Sequence, residues 1–387
     1  MIQSITQLRK IPLSKLVNEA RKIGIDNAGN LKHGELLFEY IKQKISKSGE
    51  QTLDGSGLLE ILPDGFGFLR SPLSNFAPAA DDIYISPSQI RRFNLRSGDW
   101  LEGNIRCPRD GERFLAMLQI HSINARKPEQ EKHRLLWTNL QSIVQIPNER
   151  GEMQGETWSC KDTIQEGFRN ILGSFPLGGI ISIYVDGRQR TEMYQRLFDI
   201  TDNIDGDIVY LSLEIPQNDL AFIKSKTEIG FIDGLGVGCT RNLQLIDLAM
   251  NRCCRLAEQG RNVYWIIDDI DILFRNIRGN FDQQDKKGSS SLAIQYLLSL
   301  LDCARCSDEA GSIQIMMIQK PNLTTSNKYR SIVASHCSEF LFQSSLLRQK
   351  QYQNTSKEEQ DKASKNTSQT TFVLVEKENL YKYTDYL

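Results

Sequence analysis

The stretch LLEILPDGFGFLR, which runs from Leu58 to Arg70, carries the clearest structural signal in the chain. Its apolar first half predicts a strand, and Phe66 and Phe68 follow two residues apart. Side chains at that spacing project from one face of a strand, so the two rings are expected to lie side by side. Gly65 and Gly67 leave the intervening backbone bare and able to approach a ligand closely. The pattern predicts either a platform on which unpaired bases stack or a hairpin with both rings in its core.

Three segments around this stretch share one resemblance. They are DGFGFLR at 64–70, DDIYISPSQIRRFNLRSGD at 81–99 and GERF at 111–114. Together they resemble the family of the bacterial transcription termination factor Rho, and the similarity runs from about Leu8 to about Pro128. In that family this region is a small helical cap followed by an OB-fold that binds pyrimidine-rich single-stranded RNA. The resemblance therefore favours the base platform over the hairpin core.

The resemblance also implies which side chains contact RNA. Bases would stack on two phenylalanines with a tyrosine beside them, and polar side chains would line a cytosine pocket. The full implied set is Phe66, Phe68, Arg70, Asp82, Tyr84, Glu112 and Arg113. Phe114 departs from the tyrosine that the family usually has at this position, which keeps the ring but removes a hydroxyl group.

Composition places the chain among globular proteins. Its 387 residues are 40% hydrophobic, which is enough for two or three domains with cores of their own. No run approaches the roughly 18 apolar residues of a membrane helix, and the N-terminal residues lack the profile of a secretory signal. The eight cysteines show no disulfide-framework spacing, which fits a compartment that keeps thiols reduced. A cytoplasmic location is therefore expected.

The formal net charge of −1 hides a small asymmetry. Residues 1–130 carry 18 Lys and Arg against 15 Asp and Glu, a balance of +3, which leaves 29 against 33 for the remainder. So mild a difference neither requires nor excludes nucleic acid as a partner.

The apolar patterns predict four consecutive segments. Residues 1–50 read as a helical cap, residues 51–128 as an OB-fold barrel of short strands, and residues 129–150 as a linker that continues a polar run at 127–134. Residues 151–387 alternate strands with helices, in an order that resembles the RecA-like ATPase domain of the Rho family. The predicted fold class is multidomain α+β and α/β: a helical cap, an OB-fold β-barrel and a RecA-like domain that is degenerate and C-terminally truncated.

A phosphate-binding loop is expected after the first strand of the second half. Such a loop needs glycine just before a lysine and a Ser or Thr, because its N–H groups must point at the phosphates while the hydroxyl holds magnesium. The chain instead has DGRQRT at 186–191. Thr191 fits the magnesium position, but Arg190 replaces the lysine, Gln189 replaces a glycine and Asp186 adds negative charge. Arginine is a planar fork rather than a compact point charge, so the loop is interpreted as a degenerate nucleotide site.

Two acids match the catalytic positions that the resemblance implies. Asp268 ends an apolar strand, as the magnesium-organising acid of a Walker B strand does, and Glu214 matches the water-activating acid. Ile215 stands where the family has arginine. Because an acid after a buried strand is common where a helix begins, both carboxylates are interpreted as relics or as groups of low activity.

Other parts of the motor also depart from the family. The counterparts of the central-channel loops are the segments 286–291 and 333–338, and the second has no lysine. No arginine-finger motif is found after Ser345, residues 349–370 are polar enough to predict a disordered loop, and the chain ends at Leu387, before the family's usual C-terminal helices. Without a finger, hydrolysis loses a contribution worth orders of magnitude in rate.

Cys303 and Cys306 form a C-x-x-C pair in a helical pattern, with no second pair at ligand spacing. The pattern favours packing over a zinc or redox site, and no metal site is predicted.

The resulting hypothesis is a protein that binds single-stranded, cytidine-rich RNA and acts in or modulates transcription termination, alone or in a ring with itself or with a Rho subunit. Its ATPase half would be inactive, so ATP and magnesium are cofactors implied by the resemblance but opposed by the loop. Two alternatives stay open: an active ATP-dependent RNA translocase that terminates transcription, and a protein-binding scaffold that poisons assembly of the Rho ring.

Overall fold

A computed structural model describes residues 4–48, 52–109, 112–142, 178–185, 190–201, 206–213, 229–232, 239–284, 289–319, 338–343 and 371–374. The chain divides into two compact units. The first comprises Met1–Leu136 with Asp247–Arg255, and the second comprises Trp137–Ile246 with Leu256–Leu387. Within the described residues no helix is long and apolar enough to cross a membrane.

Three helices form the predicted cap of the first unit. They are α1 (Ile5–Arg9), α2 (Leu13–Lys22) and α3 (His33–Ser48). Their apolar side chains recur at helical spacing and are buried in one core with the barrel that follows. Arg9 fixes this packing, since its Nε lies 2.6 Å from Asp81 Oδ2 and its Nη2 donates to the Asp81 carbonyl at 2.8 Å.

The predicted barrel is closed, with strand order β1-β2-β3-β5-β4. Its elements are β1 (Leu53–Ile61), β2 (Gly67–Arg70), β3 (Ile83–Ile85), α4 (Pro87–Phe93), β4 (Trp100–Arg106) and β5 (Leu115–Ile123). Short strands and a helix between the third and fourth are what an OB-type barrel requires. The first strand of the barrel begins at Leu53. Between β4 and β5 the register shifts at Gly103, where an added Cβ would collide with the Gln119 carbonyl oxygen.

The polar run after the barrel is packed against it. It contains a short helix, α5 (Pro128–Glu131), and Glu131 is buried. Arg134 continues the contact, since its Nη2 lies 2.5 Å from Asp99 Oδ2 and its Nη1 lies 3.1 Å from Glu131 Oε2. The segment is polar because its charged side chains form ion pairs against the barrel. A pattern of hydrophobic residues does not reveal such contacts.

The second unit is built on a mostly parallel sheet. Among the described residues the sheet has eight strands, in the order β13-β12-β6-β11-β9-β7-β8 with β10 paired to β11. The strands are β6 (Ile180–Tyr184), β7 (Asp207–Ser212), β8 (Ile229–Ile232), β9 (Asn262–Asp268), β10 (Arg305–Cys306), β11 (Ser312–Gln319), β12 (Ser338–Gln343) and β13 (Thr371–Leu374). The helices are α6 (Arg190–Thr201), α7 (Cys239–Ala257), α8 (Ile270–Gln284) and α9 (Ser289–Leu301), and residues Asp247–Arg255 of α7 belong to the first unit.

This strand order places the carboxyl ends of β7, β9, β11 and β6 along one edge of the sheet, because all four run parallel. Strand β6 lies between β11 and β12, although β7 is the next strand in sequence. The chain therefore leaves β6 in one direction towards β7 and later crosses β6 in the opposite direction to reach β12, and ligands of open α/β sheets bind where the direction of the connections changes. Arg190 and Asp268 lie at this edge.

One local prediction was wrong. The helical pattern expected to carry Cys303 and Cys306 stops early, because α9 ends at Leu301 and Cys306 lies in β10. The chain turns there through hydrogen bonds from the Cys303 and Ala304 amides to the carbonyls of Leu300 and Leu301. Both side chains are half-buried.

Candidate functional site

A tight turn delivers the two rings that the sequence singled out. Leu62 donates its amide to the Phe66 carbonyl at 2.8 Å, and Gly65 donates to the Leu62 carbonyl at 2.9 Å. Gly65 has a φ of 84°, a conformation that costs glycine nothing and most other residues a great deal. The turn ends at Phe66, and β2 starts at Gly67. Phe68 follows Phe66 by two residues and therefore projects from the same face of the barrel.

Four aromatic rings meet on this side of the barrel. Phe66 and Phe68 have ring centroids 5.7 Å apart at an interplanar angle of 87°, and Tyr84 of β3 lies 5.8 Å from Phe66 and 6.0 Å from Phe68. Phe114 lies 4.8 Å from Phe68 and is 39% exposed. We call Phe66, Phe68, Tyr84 and Phe114 the aromatic platform. The predicted proximity of the first three rings is observed.

The two glycines of the stretch have different roles from each other. An added Cβ at Gly65 would meet open space, so only the backbone conformation demands glycine there. At Gly67 an added Cβ would lie 2.7 Å from Leu59 Cδ1 and 3.0 Å from the Glu60 carbonyl oxygen. Gly67 therefore allows β2 to pack on β1, and the expectation that it leaves backbone bare for a ligand was wrong.

A buried ion-pair network underlies the platform. Arg70 donates from Nε to Glu60 Oε2 at 2.6 Å and from Nη1 to Asp82 Oδ2 at 2.5 Å. The Arg70 guanidinium carbon also lies 5.1 Å from the centroid of the Phe68 ring, within the range of a cation–π contact. The network fixes Arg70 from two sides and holds a positive charge against the aromatic platform.

The two carboxylate oxygens of Asp82 differ in their hydrogen bonding. Its Oδ2 accepts from Arg70 and from the Ala79 amide at 2.8 Å, whereas its buried Oδ1 has no hydrogen-bond partner among the described residues. Burial raises the pKa of Asp82 above its ordinary value, although the Arg70 charge opposes that change. A carboxylate oxygen without a donor is an acceptor that a ligand amino group can satisfy.

Glu112 is engaged by a neighbouring side chain. Its two carboxylate oxygens accept from Arg106 Nη1 at 2.6 Å and Nη2 at 2.9 Å, and the Arg109 amide donates to Oε2 at 2.9 Å. These hydrogen bonds, that of Arg106 first, lower the pKa of Glu112 to about 2. Arg113 is exposed. Arg106, which the sequence reasoning missed, therefore shapes the loop that carries both expected pocket residues.

The second candidate site lies at the carboxyl edge of the parallel sheet. Arg190, the first residue of α6, places its Nη2 2.5 Å from Asp268 Oδ2 at the end of β9. Asp268 is 1% exposed and Arg190 is 8% exposed. The position expected to contact phosphate and the acid expected to organise magnesium are thus bonded to each other.

Three hydroxyl groups complete this buried cluster. Tyr210 and Ser212 of β7 donate to Asp268 Oδ2 at 3.0 and 3.1 Å, and Arg190 Nε donates to the Tyr194 hydroxyl at 3.0 Å. We call Arg190, Tyr194, Tyr210, Ser212 and Asp268 the switch-point cluster. Burial, and then the Asp268 charge, raises the pKa of both phenols well above 10, so they remain protonated donors.

Arg190 and Asp268, which the sequence analysis names as parts of one nucleotide site, lie together in the structure, whereas Tyr194, Tyr210 and Ser212 were not predicted. Signals for them existed: Tyr194 lies one helical turn after Arg190, and β7 ends where Ser212 faces the end of β9 in register. Thr191 is exposed at the second position of α6. Glu214 and the loop at 186–189 lie outside the described residues, as do 286–288 and 333–337 of the channel segments and the whole segment at 349–370. In the described ranges no group of three or more His, Cys, Asp or Glu is arranged to hold a metal ion.

These features define a class of protein: an OB-type barrel with four clustered aromatic rings, joined to an α/β domain built on a mostly parallel sheet. Residues 55–129 match the family described as "Rho termination factor, RNA-binding domain".

Curated relatives extend the match across most of the chain. Transcription termination factor Rho of Pseudomonas aeruginosa is 32% identical over 332 residues, covering 81% of this chain and 75% of that protein. The Rho proteins of Chromobacterium violaceum and Escherichia coli K12 are 32% and 30% identical, over 328 and 331 residues, with the same coverage. The chain therefore belongs to the Rho family of transcription termination factors.

Among solved structures, the assembled ATPase EscN of the type III secretion system of enteropathogenic E. coli is 18% identical, with a TM-score of 0.40 over 54% of this chain and 52% of that chain. A prototypical ATPase from the type III secretion system of pathogenic bacteria is 16% identical, with a TM-score of 0.38 over 54% of this chain and 63% of that chain.

Proposed function

We propose that this protein binds single-stranded, pyrimidine-rich RNA on the aromatic platform and modulates transcription termination without hydrolysing ATP. The observation that carries the proposal is the convergence of four rings from separate parts of the barrel, one of which, Phe68, lies against the fixed Arg70 guanidinium. Stacking on such rings contributes roughly 1–3 kcal/mol per base and tolerates every base. Neighbouring polar groups must then supply the selectivity.

Asp82 supports a preference for cytosine. The exocyclic amino group of cytosine is a hydrogen-bond donor that carboxylates accept, whereas uracil presents a carbonyl oxygen at the same position. Asp82 Oδ1 is an acceptor without a described partner, and its Oδ2 is already held by Arg70. A cytosine stacked on the platform satisfies this oxygen, and uracil leaves it buried and unpaired.

The switch-point cluster supports the loss of motor activity. Phosphoryl transfer depends on a cation at the terminal phosphates and an acid that organises magnesium. Here Arg190 and Asp268 neutralise each other in a buried pair, so neither is presented to a nucleotide. In this proposal the protein therefore acts in transcription termination by binding RNA and assembling with other subunits, and not by translocating along RNA.

The remaining parts of the proposal concern place and partners. We place the protein in the cytoplasm, where its RNA ligand is made, and as a subunit that joins copies of itself or a Rho subunit in a ring. The domain limits of 1–50, 51–128, 129–150 and 151–387 belong to the same proposal.

A binding titration tests the RNA proposal. Fluorescence anisotropy of the full chain with labelled oligocytidine should show binding that weakens at least tenfold in the variant Phe66→Ala with Phe68→Ala. Phe93→Ala, which removes a ring that packs on the barrel core from α4, is the matched control. Equal affinity of the double variant and the parent chain would remove the platform from the RNA site.

An ATPase assay on the same sample tests the motor. No hydrolysis above background is expected with or without oligocytidine. Hydrolysis that rises with RNA and disappears in Asp268→Asn would establish the alternative, an active RNA translocase. Co-purification with a Rho subunit together with indifference to RNA would establish the scaffold alternative instead.

A further inference from the structure

The switch-point cluster shows more than the loss of a lysine. Asp268 Oδ2 accepts hydrogen bonds from Arg190, Tyr210 and Ser212, which exceeds the two lone pairs of one carboxylate oxygen. Magnesium needs a near-octahedral shell in which the carboxylate oxygen faces the ion and waters occupy other positions. Oδ2 is already saturated by protein donors, and Arg190 occupies the space beside it. The residues present therefore do not fit a magnesium–nucleotide complex.

Contacts on several sides hold the Arg190 guanidinium in place. Its Nε donates to the Tyr194 hydroxyl at 3.0 Å, and its guanidinium carbon lies 5.6 Å from the centroid of the Tyr194 ring. Its Nη2 contacts Asp268 at 2.5 Å, and its Nη1 lies 3.9 Å from Asp269 Oδ2. A guanidinium stays charged at every physiological pH. The cluster thus has a permanent cation between two carboxylates at the end of β9.

The second carboxylate oxygen of Asp268 indicates which kind of ligand the cluster would bind if Arg190 were absent. Oδ1 is buried and has no hydrogen-bond partner among the described residues. With Arg190 removed, the two oxygens of Asp268, the Asp269 carboxylate and the Ser212 hydroxyl would form an oxygen-rich set of net negative charge. Hard divalent cations are bound by such sets.

We propose that Arg190 is a built-in cation that occupies the place of magnesium beside Asp268 and holds the carboxyl edge of the sheet in a nucleotide-independent form. This inference rests on the proposed loss of motor function and gives its cause. Asp268 and Asp269 still form an acidic pair beside Arg190. Replacing Arg190 with a neutral side chain therefore converts the cluster into a divalent-cation site.

The test uses Arg190→Met in the full chain, because methionine is neutral and of similar length. Thermal unfolding is compared in EDTA and in Mn²⁺, and Mn²⁺ binding is counted by electron paramagnetic resonance. The parent chain should unfold at the same temperature in both buffers. The variant should lose stability in EDTA and regain about 5 °C in Tm at a hundredfold excess of Mn²⁺ over its dissociation constant.

Arg190→Met with Asp268→Asn is the matched control. It should fold without metal and should not respond to Mn²⁺, because no uncompensated carboxylate remains at Asp268. If Arg190→Met alone fails to fold in EDTA, recovery of the fold in this double variant supports compensation of the Asp268 charge. A double variant as unstable as the single one would overturn the inference.

Two further outcomes would also overturn it: Asp268-dependent Mn²⁺ binding by the parent chain, and a folded Arg190→Met variant that ignores Mn²⁺. An oligocytidine titration of the same samples reports on the barrel alone. Failure of RNA binding would therefore reject the proposed function while the cation measurement still decides the role of Arg190.

Discussion

Arg9 of the first helix lies 2.6 Å, Nε to Oδ2, from Asp81, and both side chains are almost completely buried. The pair joins the helical cap to the loop between the second and third barrel strands, and Arg9 Nη1 adds a hydrogen bond to the Ser56 carbonyl at 3.3 Å. The cap also approaches Asp81 through Gly34, where an added Cβ would lie 2.7 Å from Asp81 Oδ1. Cap and barrel are therefore one folding unit, and the loop leading to the platform strand β3 is anchored by the cap.

Replacing Arg9 should loosen this anchor. Arg9→Ala leaves the Asp81 carboxylate buried without its charge partner, so a loss of about 3–5 kcal/mol in the unfolding free energy of the first unit is expected. Thermal unfolding and hydrogen exchange of the α1 amides measure it. Arg91→Ala, at an exposed arginine of α4, should change stability by less than about 0.5 kcal/mol. Equal stability of the two variants would show that the Arg9–Asp81 pair does not anchor the cap.

The two phenylalanines of the platform should differ in their structural cost. Phe68 is 8% exposed and contacts three other rings, so Phe68→Ala should reduce both RNA affinity and stability, the latter by about 3–5 kcal/mol. Phe66 is less buried and follows the turn, so Phe66→Ala should mainly reduce affinity, by roughly tenfold. Anisotropy titration and thermal unfolding separate the two effects. A Phe66→Ala variant that loses stability but keeps full affinity would assign this ring to the core.

Phe114 tests stacking apart from hydrogen bonding. Its exposed ring lies 4.8 Å from Phe68, so Phe114→Ala should weaken oligocytidine binding by roughly tenfold through loss of one stacking surface. Phe114→Tyr keeps the ring and adds a hydroxyl group, so its affinity should equal or exceed that of the parent chain. Weaker binding by the tyrosine variant than by the alanine variant would contradict a stacking role.

Asp82 should determine discrimination between pyrimidines. Asp82→Asn replaces an acceptor with an amide that presents a donor, so the ratio of oligocytidine to oligouridine affinity should fall by roughly tenfold or more. The amide also removes the charge partner of Arg70, which keeps Glu60 as its second anchor. Competition titrations with the two oligonucleotides measure the ratio. An unchanged ratio would exclude Asp82 from base selection.

The Glu112 loop should respond to acid at an unusually low pH. Because the folded-state pKa of Glu112 is lowered from 4.5 to about 2, its pairing with Arg106 stabilises the fold fully above pH about 4.5. That contribution is lost as the pH falls through about 2. A carbon-13 NMR titration of the Glu112 carboxyl group should give a midpoint near 2, and Arg106→Met should return it towards 4.5. A midpoint near 4.5 in the parent chain would show that the bidentate pair does not form in solution.

Local sequence determined a large part of this architecture. The alternation of apolar residues, the glycine turn at Gly65 and the two-residue spacing of Phe66 and Phe68 act between neighbours in the chain, so they predict strands and paired rings without any tertiary knowledge. The same holds for the helices of the cap and for the apolar strand that ends at Asp268. Confirmed elements are those whose causes lie within a few residues of one another.

The tertiary structure decided every feature that depends on distant residues. Gly67 serves strand packing because Leu59 lies across from it, and Glu112 is engaged because β4 brings Arg106 beside it. Arg190 and Asp268 are 78 residues apart, and only the parallel order of β6 and β9 on either side of β11 brings them to one edge. The sequence showed that Arg190 replaces the lysine of the phosphate loop, whereas the fold showed that its charge pairs with Asp268. A charge can be read from one residue, but its partner is set by the packing of the whole sheet.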